Sequence, residues 1–274
     1  MSFLVLAIVV LILRFTPWRH GFPLDLVGWW TGKVGSAFGV RPVWQTLTLL
    51  ALPPLVAALL LWWVRGELYG LLTLLAHVGL VMLAVGRNDA LGSMAAPFDE
   101  AWQRGDREAA YHVARRDLAL DCEGSDELLK AVDTRIALAA FRDYVAPIFW
   151  YLLLGPVAAL GYRLLEAFSR MEGHPAQPSA SRAAHALEWV PVRLFALSLA
   201  LVGDFERGLR ALRRWLLLWE AGAQQVMASC LVAALGREQQ ANEPGKPVLQ
   251  SVRTILVRSF VVWAVCIAFV SLLG

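Results

Sequence analysis

Two short stretches gather the residues best suited to chemistry: Arg142-Asp143-Tyr144-Val145-Ala146-Pro147-Ile148-Phe149-Trp150-Tyr151, and Glu188-Trp189-Val190-Pro191-Val192-Arg193. In the second, an acid and an arginine five apart flank Trp189 and Pro191, a set able to hold an anionic or polar ligand near a membrane surface. The plainer reading is a helix start with Pro191 in its first turn and Arg193 snorkelling toward water. In the first, Pro147 and the later Gly155-Pro156 pair should interrupt the backbone hydrogen-bond ladder. Broken apolar helices are tolerated mainly where they face protein or a wet cavity. The stretch is therefore either a site or a packing seam, a kinked helix anchored by Trp150 and Tyr151 with Gly155 and Ala159 allowing close helix approach.

Nothing else has the specificity of a catalytic motif. His20, His77, His112, His174 and His185 lack metal-binding spacing, and Cys122, Cys230 and Cys266 are odd in number without CxxC spacing. No metal, cofactor or disulfide framework is expected. His77 stands inside an apolar block, where an ionisable group is either functional or hydrogen-bonded to a neighbouring helix. Gly32-Lys33-Val34-Gly35-Ser36 lacks the spacing of a phosphate loop, and neither a GxSxG elbow nor a dinucleotide fingerprint occurs.

The elements that must position these residues are set by composition. Of 274 residues, 58% are hydrophobic and 17% charged, with mean hydropathy +0.55, against roughly 25% charged in soluble proteins. The apolar residues are bunched at 2–13, 47–64, 68–85, 144–168, 190–202 and 255–273. This predicts an all-α, polytopic helical membrane protein of four to six membrane segments, some short or broken, with a helical cytoplasmic portion. The first block lacks the flanks of a cleaved signal peptide and is read as retained; its helix rises only about 18 Å against a hydrocarbon core of roughly 30 Å. Twenty of the 25 lysines and arginines fall in the first, third and fifth links between blocks, Arg258 in the first turn of the last block being counted with the fifth link. Those links should be cytoplasmic, with both termini periplasmic if all six blocks cross.

The expected division is then residues 1–86 with three membrane segments and a cytoplasmic loop at 14–46, and 87–143 as a cytoplasmic helical domain. A broken membrane helix, linker and short fifth segment come next at 144–203, then basic amphipathic cytoplasmic helices at 204–254, and a last membrane segment at 255–274. Asp121 to Asp126 should break the helical domain, with Ser125 as N-cap of its next helix. Leu209, Leu212, Leu216 and Trp219 oppose Arg207, Arg210, Arg213 and Arg214 on a helix suited either to the inner leaflet or to packing on the protein. Residues 173–181 and 241–247 read as linkers. With a net charge of +3 and basic residues beside apolar blocks, the expected partner is the lipid bilayer and not nucleic acid.

Phe141-Arg142-x-Tyr144-x-Ala146-Pro147-x-Phe149-Trp150, together with Leu187-Glu188-Trp189-Val190-Pro191-Val192-Arg193-Leu194, resembles the AmpE family of bacterial inner-membrane proteins over the whole chain. That family is similar to the CbiB/CobD adenosylcobinamide-phosphate synthases. Gly105-Asp106, Ala109-Ala110, Arg116-Asp117 and Leu120-Asp121 resemble the corresponding synthase stretch. The AmpE resemblance implies a multi-pass inner-membrane signalling modulator of β-lactamase induction tied to peptidoglycan recycling; a muropeptide or other cell-wall recycling ligand and a second copy of the chain are candidate partners. The synthase resemblance implies amide formation between an aminopropanol moiety and cobyric acid. Here the synthase family's acid and amide cluster falls on Leu138, Ala139 and Arg142, which argues against catalysis. The ligand-binding candidates are Arg87, Asp89, Arg116, Asp117, Arg142, Tyr144, Trp150, Glu188, Trp189 and Arg193, with no catalytic residue assigned. The alternatives are a membrane-bound transferase or ligase and a small-molecule carrier using the broken helix at Pro147 and Gly155-Pro156.

Overall fold

The computed structural model describes residues 2–15, 26–37, 43–64, 70–86, 89–90, 92–122, 124–236 and 249–273. Helices α1 (Ser2–Phe15), α2 (Leu26–Ala37), α3 (Val43–Trp63) and α4 (Leu71–Ala84) lead to α5 (Ala96–Gln103), α6 (Arg107–Leu118) and α7 (Ser125–Ala140). A π-helical turn at Phe141–Val145 joins α7 to α8 (Ala146–Leu154). The remaining helices are α9 (Pro156–Ser169), α10 (Gln177–Val202), α11 (Phe205–Trp215), α12 (Ala223–Leu235) and α13 (Gln250–Leu273). No strand occurs among the described residues. Ser125–Leu154, Gln177–Val202 and Gln250–Ser271 are long and apolar enough to cross a bilayer, and Phe3–Leu13, Thr48–Trp63, Leu71–Ala84 and Ala223–Leu235 are shorter apolar helices. The all-α membrane architecture read from the sequence is the one observed. The chain forms two compact units, Met1–Arg87 with Arg142–Glu188, and Asn88–Phe141 with Trp189–Gly274.

In the first unit α9 is the hub, packing against α2, α3, α4 and α8. Val27, Ala57, Leu160 and Leu164 form one apolar cluster, and Val34, Leu50, Phe168, Ala176 and Ala180 another. The opposite faces leave Leu55, Leu59, Leu60 and Trp62 exposed, as lipid-facing helices do. Chain direction changes at Gly155, whose φ of 86° and ψ of −176° suit only glycine, and Pro156 then starts α9 where its missing N–H is harmless. The block at 144–168 is thus two short helices packed on each other; α8, at nine residues, rises only about 13 Å.

Three prolines inside helices, Pro147, Pro191 and Pro53, share one solution. Proline cannot donate to the carbonyl four residues earlier and its ring crowds that carbonyl. For Pro147 the stranded acceptor is Asp143 O; the π turn makes room, and Gly86 N–H donates to it at 2.7 Å. Pro191 strands Leu187 O, which accepts from the Trp150 indole N–H at 3.2 Å. Pro53 in α3 strands Leu49 O, which accepts from the Trp30 indole N–H at 3.2 Å. Each ladder break becomes a tie to another element, so Pro147 and Pro191 bend the pattern without ending their helices. Pro191 is interior to α10, not in its first turn. Likewise α10 begins at Gln177, so only the first part of the 173–181 linker is non-helical.

The second unit has a packed interior. Phe195 stacks between Phe141 and Phe260, with centroids 6.1 and 6.0 Å away, and Val226, Met227, Cys230 and Leu231 of α12 are buried. Gly208 of α11 sits against Ala200 of α10, where a Cβ would lie 2.7 Å from the Ala200 methyl. Further on, carbonyls just past the end of α11 reach Arg193 of α10, so α11 runs antiparallel along the second half of α10. Its apolar residue Leu212 is buried, and α11 packs on α12. Of the predicted apolar face, Leu212 is therefore packed on protein, while Leu216 and Trp219 stay exposed. At α7 the sequence expectation needs correcting: Ser125 is the first helical residue, and Gly124, at φ 102°, is the N-cap without a side-chain cap. Residues 241–247 lie outside the described residues.

Candidate functional site

Within the first unit, the π turn, α9 and α10 bring together six ionisable side chains and a tyrosine. Arg142 donates through Nε to Glu188 Oε1 at 2.8 Å and through Nη2 to Glu188 Oε2 at 3.1 Å. The buried Tyr162 hydroxyl donates to Glu188 Oε1 at 3.1 Å. Arg163 donates to Asp143 Oδ1 at 2.9 Å and to Glu166 Oε2 at 3.4 Å, and Arg170 pairs with Glu166. The Asp143, Glu166 and Glu188 side chains are 0, 2 and 4% exposed. Three arginines match three acids, so the cluster carries no net charge. The fork geometry of Arg142 on Glu188 is the strong, orientation-specific form of ion pair. α9 supplies Tyr162, Arg163 and Glu166, and its C-cap Arg170 follows, so that Arg163 and Arg170 lie three before and four after Glu166 on one face.

The two sequence motifs thus meet twice, through Arg142 with Glu188 and through Trp150 with Leu187 O. Tyr144 is half-buried on the π turn between them. The backbone at Gly86 presses on the Asp143 side chain so closely that no Cβ fits.

The other candidates have separate surroundings. Arg87 lies outside the described residues. Asp89 is a local cap: its Oδ2 accepts from Ser93 N–H at 3.1 Å. Arg116 and Asp117, exposed on α6, pair with each other at 2.6 and 2.8 Å; hydrogen bonding to Arg116 holds the Asp117 carboxyl below its usual value. Arg193 stacks 4.0 Å over the Trp189 ring and donates to the Trp189, Trp215, Leu216 and Leu218 carbonyls at 2.7 to 2.9 Å. It pins the turn after α11 instead of snorkelling. His77 Nδ1 lies 3.5 Å from the Tyr151 hydroxyl oxygen, the helix-to-helix role expected as one of its two readings. Leu138 and Ala139 are buried.

The sequence reading passed over Asp143, Arg163, Glu166 and Arg170 as site residues. The signal was available: Arg163 and Glu166 lie three apart inside the apolar block 144–168, where an ionisable group needs a partner, and Asp143 and Arg170 flank the block. Among the described residues, no group of three or more His, Cys, Asp or Glu could hold a metal ion.

Residues 26–274 match the family described as "Regulatory signalling modulator protein AmpE". The chain belongs to the AmpE family. Protein AmpE of Shigella flexneri is 28% identical over 244 residues, covering 84% of each chain. Cobalamin biosynthesis protein CobD of Stutzerimonas stutzeri is 33% identical over 204 residues, 70% of this chain and 64% of that protein. Its counterpart in Chromobacterium violaceum is 29% identical over 210 residues, 71% of this chain and 65% of that protein. The chain therefore spans just under two thirds of each CobD relative. No solved structure matches the chain. As an AmpE-family member, this protein is a membrane-bound regulatory signalling modulator, and the two stretches that tie α8, α9 and α10 together are the ones that carried the resemblance.

Proposed function

We propose that this AmpE-family protein works in the bacterial inner membrane, modulating β-lactamase induction in response to peptidoglycan recycling, with its charged helices on the cytoplasmic side. The observation that carries this reading is the family match over residues 26–274. The seam chemistry supports it: Arg142, Glu188, Tyr162 and Arg163 are spent on one another, an arrangement that sets how helices pack more readily than one that turns over a substrate. Deletion followed by re-complementation tests it. Induction of β-lactamase should change on deletion and return with the gene; unchanged induction removes the proposal.

The same reading refines the topology. Four arginines on α11 run beside the block at 190–202, and a helix so charged does not enter hydrocarbon. Crossings at α1, α3, α4 and α13 keep the basic links 14–46 and 86–249 on one side and place both termini on the other, as the positive-inside rule requires. The candidate ligand is a muropeptide, and a second chain copy is a candidate partner. Anhydro-muropeptide at about 100 times its Kd should raise stability by roughly 2.7 kcal/mol. A shift with cobyric acid or magnesium nucleotide instead would favour the transferase reading that the CobD relatives suggest.

A further inference from the structure

We infer that residues 213–219, the end of α11 and the turn after it, form a preformed foot that seats on an anionic bilayer surface. Leu216, Leu217, Leu218 and Trp219 are 42, 86, 49 and 56% exposed, four consecutive large apolar side chains directly after a helix of charged residues. Such a run in water is costly, and mobile loops hide it by collapsing. This one cannot collapse, because Arg193, itself 5% exposed, holds the Trp215, Leu216 and Leu218 carbonyls at 2.7 to 2.9 Å. Turning the carbonyls inward onto one guanidinium turns the side chains outward. Trp219 is further braced on Trp189, with centroids 5.9 Å apart.

The charges beside the turn choose the occupant. On α11, Arg207 pairs with Asp204 and Arg210 with Glu206, whereas the exposed Arg213 and Arg214 make no ion pair among the described residues. Two unspent arginines followed by leucines and a tryptophan match, in order, phosphate, acyl chain and interface. The same unit holds α13, whose Val261, Val265, Phe269 and Val270 are exposed, so the foot is tethered to a membrane helix. This inference rests on the membrane reading but not on any role in β-lactamase induction.

The test uses the full-length protein in lipid nanodiscs, with Cys122, Cys230 and Cys266 replaced by alanine and one cysteine introduced as Leu217→Cys or, as a control on α11, Glu206→Cys. Each is labelled with a nitrobenzoxadiazole dye, and equal thermal midpoints show that the variants fold. In phosphatidylcholine containing a quarter phosphatidylglycerol, dye at 217 should emit in the blue and be quenched by lipids bearing a shallow spin label, while dye at 206 should report water. Arg213→Gln with Arg214→Gln should lower the bound-to-free ratio of the foot roughly thirtyfold, at about five- to sixfold per cation. Water-like emission at 217 overturns the inference, as does quenching that ignores the two arginines. Blue emission without lipid quenching also overturns it, showing instead that protein covers the foot.

Discussion

Replacing Glu188 by leucine removes the acid that Arg142 holds in a fork and that Tyr162 also donates to. Breaking a buried pair from one side costs about 3–5 kcal/mol, because the other charge stays behind. Arg142 retains 26% side-chain exposure, which places this pair near the lower bound, at about 3 kcal/mol. The buried Tyr162 hydroxyl adds about 1 kcal/mol for its lost acceptor. A total of about 4 kcal/mol should lower the apparent thermal midpoint in detergent by about 8–16 °C for a chain of this size. Arg142→Leu leaves Glu188 without its cation and should cost a similar amount. The double variant places two apolar side chains face to face and should cost far less than the sum, giving a coupling of about 2–3 kcal/mol. Detergent-purified protein, monitored by intrinsic fluorescence on heating, reads all four corners of the cycle. Additive losses, or single losses below about 1 kcal/mol, would mean that the pair behaves as a solvated surface pair and that the seam argument fails.

Gly86→Ala should destabilise by about 2–4 kcal/mol, since its Cβ would overlap the buried Asp143 side chain; a wild-type midpoint would refute that contact. Trp150→Phe should cost about 1–2 kcal/mol for the stranded Leu187 carbonyl, and less in a Pro191→Ala background, where residue 191 regains its own N–H; equal losses in both backgrounds would count against the proline argument. Reporter fusions after Ala176 should give a fluorescent cytoplasmic protein and an inactive phosphatase, the reverse of what six crossings require. Because Arg116 and Asp117 are exposed and satisfy each other, Arg116→Ala with Asp117→Ala should leave the midpoint unchanged, and a marked loss would place them in a buried contact.

Much of this was legible in the sequence. The apolar blocks gave the helices, and the Asp121–Asp126 break fell where α6 gives way to α7. The motifs at 141–150 and 187–194 stood out before their pairing was visible, because Pro, Trp and paired charges in an apolar run have few bland explanations. What composition could not show was where a proline's stranded carbonyl would find its donor, since Gly86 and Asp143 meet only through packing. The block at 190–202 reads as a membrane segment by hydropathy, and its helix is long and apolar enough to cross one; that Phe195, Leu199 and Ala200 are buried on protein while Val190, Leu194 and Leu201 are exposed is a division that hydropathy alone does not show. The hold of Arg193 on the turn after α11 was not legible because three of its four carbonyl partners lie 22 to 25 residues away, beyond the reach of any local pattern.

The tied prolines bear on how the chain is made. In each tie the donor precedes the acceptor in the sequence: Trp30 before Leu49, Gly86 before Asp143, Trp150 before Leu187. At translation rates of about 5–20 residues per second, each donor leaves the ribosome roughly 1–10 s before the carbonyl that needs it. A helix carrying a proline therefore emerges with its complementary group already synthesised, and vectorial synthesis from the N-terminus spares the insertion machinery from releasing a segment with an unanswered carbonyl into lipid.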